Sequence, residues 1–272
     1  MNRSVDFVRL ATVAGALASM LVTASAWAGA CDIDDYVPRA IGVEEPWLEN
    51  AGYLFTQVSH SGNPQAVTLA PEVEARFSDR FGMEFDLPSY TAEEPVGRAP
   101  SAFGPLAAGL KAVGINACDG REGRAALATG EIEGQYWAHP RPQVLAGEGN
   151  SITGQLMWAE LWNPWFNEGE VGYTHRIGLG ITNGWFLNTS FGRNVTSVWA
   201  AQLEVEVDDQ LLLADGHRGV EGSVMPQISY RPAIGWLLAL GEEASFEQGT
   251  PQTGWSTWLM VEHEFSDTDD PN

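Results

Sequence analysis

The chain has 272 residues and a formal net charge of −22, with 14 lysines and arginines against 36 aspartates and glutamates. This acidic balance argues against nucleic acid as a partner, because binding to phosphates depends on clustered lysine and arginine. Charged residues make up only 18% of the chain, which also contains 30 glycines and 11 tryptophans. Such a composition suits a transmembrane barrel, and it also suits many secreted β proteins.

The first 28 residues have the pattern of a secretory signal peptide. Arg3 and Arg9 precede an apolar run from Leu10 to Ala24, and small residues follow it. The run is short for a membrane anchor, so we expect export and removal of residues 1–28. Residues 29–50 contain several acidic residues but no periodicity, and we expect them to form an N-terminal lead on the periplasmic side.

The clearest strand signals are at 67–77 and 81–87. Apolar residues alternate there with charged or polar ones, as where Val73 lies between Glu72 and Glu74. Period-2 alternation predicts a strand with one apolar and one polar face, and the short connection between the two runs predicts a tight hairpin. Each run is long enough to cross a bilayer as a tilted strand, for which about 9–11 residues suffice.

Further strands are predicted at regular spacing along the rest of the chain. They are 52–60, 103–113, 124–137, 152–162, 171–181, 185–192, 196–208, 219–231, 233–240 and 255–265. Together with the opening hairpin they give about twelve strands, and no helix is predicted after the signal peptide. We therefore predict one all-β domain over 51–266, followed by an acidic tail at 267–272.

Alternation alone does not decide whether the apolar faces meet lipid or a second sheet. Tight turns that mostly alternate with long connections favour an up-and-down antiparallel transmembrane β-barrel, as does an amphipathic last strand ending in Phe265. Connections 163–170 and 182–184 break this alternation. Aromatic residues also gather near strand ends, at Phe77, Phe81, Tyr90, Trp137, Trp162, Trp185, Tyr230 and Trp255. The alternative is a secreted, soluble β-sandwich that binds or hydrolyses carbohydrate.

Several short stretches of the sequence resemble those of a known protein family. They are TLAPEVEARFSDRFGMEFDLP, FGPLAAGLKAV, PQISYRP and WLMVEHEF. From about Ala51 to Phe265 the chain is similar in these phrases and in strand pattern to bacterial outer-membrane β-barrels described as transporters of the phenol-degradation type. The resemblance implies a barrel surrounded by outer-membrane lipid and a role in the passage of small solutes. The loop at 139–150 and the two cysteines do not match the family pattern.

In a barrel, the polar strand faces point into the lumen. The expected lumen-lining residues are Glu72, Glu74, Arg76, Glu84, Asp86, Glu131, Glu133, Arg176, Glu204, Glu206, Glu221, Glu262 and Glu264. Few cations oppose these carboxylates, at most Arg76, Lys111, Arg124 and Arg176. An open lumen with this lining would therefore favour cations. The alternative is a filled interior with no through-path, since barrels of this size enclose limited space.

No motif in the sequence points to an enzyme. Carboxylates two residues apart, such as Glu72 and Glu74, have a spacing that does not exclude a glycoside hydrolase, but the same spacing recurs on nearly every strand. The five histidines lack the spacing of a metal site, and there is no G-x-S-x-G and no phosphate-binding loop. We therefore expect no catalytic residue, no cofactor and no metal.

The two cysteines, Cys31 and Cys118, are expected to form a disulfide bond. Export to an oxidising compartment favours pairing over free thiols. The predicted strand count returns the chain to the rim of the lead at the turn that holds Cys118, so a bridge would hold the lead across the barrel mouth. The alternatives are a lipid-modified Cys31 beside a free Cys118, or two unpaired thiols.

Overall fold

A computed structural model describes residues 33, 36–60, 66–93, 101–119, 123–137, 150–177, 183–212, 218–249 and 254–265. The expected signal peptide and acidic tail lie outside these residues, so both stay predictions, as do the domain boundaries. No helix in the described part of the chain has the length and apolarity needed to cross a membrane.

The described residues form fourteen strands. In chain order they are β1 (Ala51–Ser59), β2 (Ala66–Ser78), β3 (Phe81–Asp86), β4 (Tyr90–Glu93), β5 (Ser101–Phe103), β6 (Leu106–Asp119), β7 (Arg124–Tyr136), β8 (Asn150–Trp162), β9 (Trp165–Ile177), β10 (Gly184–Asn194), β11 (Trp199–Leu212), β12 (Arg218–Ala233), β13 (Trp236–Glu247) and β14 (Gly254–Glu264).

Twelve of these strands close into an antiparallel barrel. From β6 to β14 each strand pairs with the next, and β3 pairs with β6. The barrel closes where β14 pairs with β1, from Ala51 opposite Glu264 to Ser59 opposite Ser256. The predicted twelve-stranded up-and-down barrel is therefore confirmed. A single closed sheet does not support the β-sandwich alternative, which requires two sheets packed face to face.

The short strands β4 and β5 extend the barrel wall at one rim. β4 pairs with the first residues of β2 and with β5. Residues 87–89 separate β3 from β4, and Gly104 and Pro105 separate β5 from β6. Both breaks contain a proline, Pro88 or Pro105, which has no N–H to donate to a sheet ladder. β3 and β4 therefore form one long strand interrupted by a break, and so do β5 and β6.

The two rims of the barrel differ in the length of their connections. At the turn rim, strands are joined by two to four residues, at 79–80, 120–123, 163–164, 195–198 and 234–235. At the loop rim, the connections are longer, at 60–65, 94–100, 137–149, 178–183, 213–217 and 248–253. Gly123 and Gly235 take positive φ values of 62° and 70° in two of the short turns, a conformation that favours glycine.

This asymmetry is more regular than the sequence indicated. The expected long connection at 163–170 is wrong, because β9 starts at Trp165, directly after Asn163 and Pro164. The expected short turn at 182–184 is also wrong, because 178–183 connects β9 to β10 at the loop rim. The hairpin expected at 231–232 turns slightly later, at Ile234 and Gly235.

The outer face of the barrel is apolar and exposed. Val73 is 37% exposed and Leu110 is 53% exposed, although both lie in the middle of long strands. Exposed aromatic residues form two belts, near the turn rim at Phe77, Phe81, Trp162, Trp165, Trp199 and Trp236, and near the loop rim at Tyr90, Phe103, Tyr136, Trp185, Phe246 and Trp255. An apolar band between two aromatic belts is typical of transmembrane barrels.

Candidate functional site

The thirteen residues expected to line the lumen lie on strand positions that alternate with the exposed apolar residues, and their role as a pore lining stays a prediction. Six of them are buried, namely Glu72, Glu74, Glu84, Glu131, Glu204 and Glu262. Glu221 is exposed, and the remaining six, Arg76, Asp86, Glu133, Arg176, Glu206 and Glu264, are partly exposed. The structure brings the buried ones into contact with a part of the chain that was expected elsewhere.

Residues 36–50, here called the lumen segment, run through the barrel interior. At the turn rim, Asn194 Nδ2 donates a hydrogen bond of 2.8 Å to the carbonyl oxygen of Tyr36. The segment then reaches the middle of the barrel at Gly42, whose N–H donates to Glu204 Oε2 at 3.2 Å. It returns to the turn rim at Asn50, whose side chain accepts from the Arg76 N–H at 3.0 Å. The segment therefore enters and leaves the barrel by the same rim.

This position differs from the expected lead, which was predicted to lie across the barrel mouth. The sequence of 36–50 shows no periodicity because the segment does not lie on one face of one sheet. Its residues contact different strands in turn, and most of them are buried, including Val37, Arg39, Glu45 and Trp47. Such an environment requires polar and apolar side chains in no regular order.

Polar groups of the barrel wall satisfy the backbone of the lumen segment. Gln227 Oε1 accepts from the Ile41 N–H at 3.2 Å, and Gln202 Nε2 donates to the Arg39 carbonyl at 3.4 Å. Thr129 Oγ1 donates to the carbonyl oxygen of Pro46. These contacts come from β7, β11 and β12, so strands far apart around the barrel hold the segment without a regular ladder.

Two apolar clusters hold the segment against different sides of the barrel wall. In the first, Val37 and Trp47 join inward-facing residues of β7, β8, β9 and β11, namely Leu127, Ala159, Leu161, Phe166 and Ala200. In the second, Ile41 joins inward-facing residues of β1, β12, β13 and β14, namely Ala51, Tyr53, Phe55, Met225, Leu237, Ala239 and Met260. Apolar inward positions on the strands thus match apolar positions on the segment.

A buried ion-pair network joins the lumen segment to β2, β3 and β6. The Arg39 guanidinium lies 2.6 Å from Glu45 Oε2 and 2.7 Å from Glu72 Oε1. Lys111 Nζ lies 2.5 Å from Glu74 Oε1 and 2.7 Å from Glu84 Oε2. Lys111 also lies 3.4 Å from Glu45, so this carboxylate of the segment connects the two cations.

The charge state of Glu45 follows from this arrangement. Burial alone would raise the pKa of Glu45, but Arg39 and Lys111 outweigh it and lower the pKa to about 2. Glu45 is therefore ionised at neutral pH. Glu45 would keep one cation if the other were removed. Loss of Arg39 would instead leave Glu72 buried without its cation, and loss of Lys111 would leave Glu74 and Glu84 so, which typically costs about 3–5 kcal/mol.

Several residues of this site were not expected from the sequence. Arg39, Glu44 and Glu45 gave no signal, because the segment lacks a pattern. Glu168 and Glu170 were assigned to a connection, whereas both are buried on the inward face of β9. Lys111 did carry a signal, since it was one of the few basic residues available to oppose the predicted lumen carboxylates.

The loop-rim half of the lumen has a different lining, here called the vestibule: Glu206, Asp208, Glu221, Glu243 and Glu247. Asp208 lies directly opposite Glu221, which lies directly opposite Glu247 on the next strand. Below them, Ser223 donates to Glu206 at 3.2 Å and Trp258 donates to Glu243 at 2.6 Å. Carboxylates directly opposite one another repel, and the nearby Arg176 offsets part of this repulsion at Glu221.

One cysteine of the predicted disulfide, Cys118, lies at the turn rim. Cys118 lies on β6 opposite Ala125 and is not a free thiol. Cys31 lies outside the described residues, so its pairing with Cys118 stays a prediction.

Comparison with known proteins is informative at the level of the fold. No protein-family model matches the sequence, and no curated protein matches it. Among solved structures, the chain is similar to an outer membrane channel from Pseudomonas putida F1, with 12% identity, a TM-score of 0.57, and coverage of 84% of this chain and 100% of that one. It is also similar to the NanC porin, with 6% identity, a TM-score of 0.50, and coverage of 78% and 100%. At these identities the likeness shows a common β-barrel fold.

Proposed function

We propose that the protein is an outer-membrane channel for small solutes whose turn-rim half is closed by its own lumen segment. The observation that carries this proposal is a closed barrel with an apolar outer face and a carboxylate-rich lumen occupied by residues 36–50. The fold shared with outer-membrane channels supports the proposal, and so does the resemblance of sequence phrases to transporters of the phenol-degradation type.

Placement in the outer membrane follows from the outer face and from strand length. β2, β7, β8 and β9 each contain 13 residues, more than the roughly 9–11 that a tilted strand needs to cross a bilayer. The first and last residues of the barrel strands, Ala51 and Glu264, both lie at the turn rim. Short turns face the periplasm in bacterial barrels, so the lumen segment enters from the periplasmic side.

A substitution on the outer face tests contact with lipid. Val73→Arg should destabilise the folded barrel in bilayers by about 2–4 kcal/mol, because arginine is costly at the midplane of the lipid face. Denaturant titration in lipid vesicles measures this, with Val73→Leu as the matched control. An arginine variant as stable as wild type would contradict lipid contact at this position.

Closure by the lumen segment follows from its contacts. The segment is held by two apolar clusters, by wall hydrogen bonds and by the pairs of Arg39 and Lys111. On this proposal, a solute passes the level of the segment only when the segment moves. The channel is therefore closed at rest, and a solute reaches the vestibule before it reaches the segment.

Planar-bilayer recordings with a matched pair of variants test the closure. Arg39→Gln removes a cation that joins the segment to β2, and we expect larger or more frequent conductance steps than in wild type. Arg76→Gln is the control, because Arg76 also lies near the turn rim but its side chain pairs with the exposed Asp79. Silence of all three proteins, each shown to be folded by heat-modifiable migration, would favour a filled, purely structural interior.

The negative charge of the lumen lining gives a second prediction, which can be tested separately from the closure. A vestibule rich in carboxylates should favour cations, and the preference should weaken as salt screens the charges. Reversal potentials across a salt gradient measure this in the conducting Arg39→Gln channel. A preference for anions would contradict the assigned lining without affecting the closure.

A further inference from the structure

Two arginines and two tryptophans form a row on the outer face of the barrel at the turn rim, here called the outer row. Arg124 on β7 lies opposite Trp162 on β8. Trp162 lies opposite Trp165 on β9, which lies opposite Arg193 on β10. All four residues are exposed. Adjacent strands lie about 4.8 Å apart, so the row extends over roughly 14 Å of the barrel wall.

The side chain of Arg193 lies over an aromatic surface. Its guanidinium carbon is 5.1 Å from the centre of the Trp165 ring. The Trp165 ring stacks on Phe191, with 5.4 Å between the ring centres and 18° between the planes. A cation over an indole face is attracted by the ring, so this contact holds the guanidinium in place without using its N–H donors. On the other side, the residue opposite Arg193 is Ala201, which is too small to cover it.

Arg193 has no counterion in the described part of the chain, where it forms no ion pair. Glu160 also faces outward, but it lies two strands away on β8 and forms no ion pair with Arg193. Arg124 lies opposite Asp119 on β6. The positive charge available to a ligand of the outer row is therefore assigned to Arg193.

The outer row combines a cation with apolar surface at the edge of the apolar band. Trp162 and Trp165 belong to the aromatic belt at the turn rim. Aromatic belts lie at the level of the lipid headgroups. A guanidinium at this level meets phosphate oxygens, which it binds with two parallel N–H donors. The neighbouring rings of Trp165 and Phe191 offer an apolar surface to the adjoining acyl chain.

We propose that Arg193, Trp162, Trp165 and Phe191 form a binding site for one anionic phospholipid. Arg193 binds the phosphate, and the three rings contact the glycerol and the upper part of the acyl chains. A headgroup with an ammonium group, such as choline, would bring a second cation towards Arg193, so an anionic headgroup such as glycerol is preferred. This inference rests on the proposed contact of the outer face with lipid, and it is independent of whether the lumen conducts.

Native mass spectrometry of the full mature chain, released from a non-ionic detergent, tests the proposal. Titration with phosphatidylglycerol should give a saturable first binding event. Its affinity should be about fivefold higher than that of phosphatidylcholine with the same acyl chains, since one basic residue near a membrane surface contributes about that factor. Arg193→Gln should lower the affinity for phosphatidylglycerol about fivefold, to the level of phosphatidylcholine.

Arg80→Gln is the matched control. Arg80 is also an exposed arginine at the turn rim without an ion pair in the described ranges, but its guanidinium lies over no aromatic ring of these ranges. Its substitution should leave the affinity for phosphatidylglycerol unchanged. Equal affinity in wild type and Arg193→Gln, or an equal loss in Arg80→Gln, would overturn the proposal, because any attraction would then come from the overall charge of the rim.

Wild type alone provides a second readout, which covers the case in which Arg193→Gln does not fold. Phosphatidylglycerol should raise the temperature at which heat-modifiable migration is lost more than phosphatidylcholine does, because a ligand of the native state stabilises it. Glycerol phosphate carries the phosphate without acyl chains and should not displace the bound lipid. Equal effects of the two lipids, or displacement by glycerol phosphate, would overturn the assignment to a phospholipid.

Failure of this site is distinguishable from failure of the proposed membrane placement. If Val73→Arg destabilises the barrel in bilayers while wild type binds both lipids equally, the outer face contacts lipid but the outer row has no specific ligand. A neutral Val73→Arg would contradict the placement itself, and with it any lipid site on this face.

Discussion

The two halves of the lumen place their carboxylates in opposite environments. In the turn-rim half, Glu45, Glu72 and Glu74 are buried and paired with Arg39 or Lys111 at 2.5–2.7 Å. In the loop-rim half, Asp208, Glu221 and Glu247 lie side by side on adjacent strands. Carboxylates therefore act as attachment points at one end and as an open, repulsive lining at the other.

The two halves are expected to contribute differently to the stability of the barrel. Buried pairs are sensitive to the loss of one partner, whereas partly exposed like charges cost little because water and salt screen them. We therefore expect substitutions of equal chemistry to have large effects on stability near the turn rim. Near the loop rim, they should mainly change ion preference.

The largest effect is expected at Lys111. Lys111→Met would leave Glu74 and Glu84 buried without their cation and should lower the free energy of unfolding by about 3–5 kcal/mol. Denaturant titration followed by tryptophan fluorescence measures this. The triple variant Lys111→Met, Glu74→Gln, Glu84→Gln should recover part of the loss. A neutral Lys111→Met would remove the distinction between the two halves.

Acid should release the lumen segment before it unfolds the barrel. The pKa of Glu45 falls from its ordinary value of 4.5 to about 2 on folding, so its contribution is complete above 4.5 and is lost as pH falls towards 2. Quenching of Trp47 by added iodide, with the other tryptophans as background, should therefore increase over this interval. In Glu45→Gln, the increase attributable to this carboxylate should be absent, and an unchanged acid profile would contradict the role of Glu45.

Glu206→Gln tests the vestibule by ion preference. Glu206 is partly exposed and accepts one hydrogen bond, from Ser223. We expect a change in stability below about 1 kcal/mol but a measurable loss of cation preference in reversal-potential experiments. A large loss of stability without a change in preference would show that this half, too, is a packed interior.

The smallest effect is expected where like charges face each other. Glu221→Gln removes the central carboxylate of the row between Asp208 and Glu247 and should stabilise the barrel by about 0.2–1 kcal/mol. The gain should shrink at high salt because screening already reduces the repulsion. Equilibrium unfolding at two ionic strengths measures both, and a destabilised variant would indicate that the attraction between Glu221 and Arg176 outweighs this repulsion.

The barrel was predictable because its signal is periodic. In β2, inward Glu72 and Glu74 alternate with outward Val73 and Ala75, and such alternation fixes strand, face and register together. The same reasoning failed at 163–170. Asn167 and Gly169 are typical of loops, but here Asn167 accepts a hydrogen bond of 2.9 Å from Trp158 Nε1, and Gly169 leaves room for the Trp158 ring.

Strand periodicity did not predict that residues 36–50 occupy the lumen. Which carboxylates become buried depends on residues 36–50, and their contacts with β2, β6 and β11 are distant in sequence. Glu72 and Glu206 have the same local pattern, yet one pairs with Arg39 in the interior and the other lies in the vestibule. Only the path of the segment distinguishes them.

The shared point of entry of the lumen segment has a consequence for assembly. Tyr36 and Asn50 both lie at the turn rim, and Gly42 lies between them in the middle of the barrel. The chain between the two ends is a loop, so its insertion requires no free end to be threaded past the strands. The barrel can close first, with β14 joining β1, and the loop can then fold into the closed barrel through the turn rim. Maturation would then have two separable stages, a bilayer-dependent one that builds the wall and a later one that fills it.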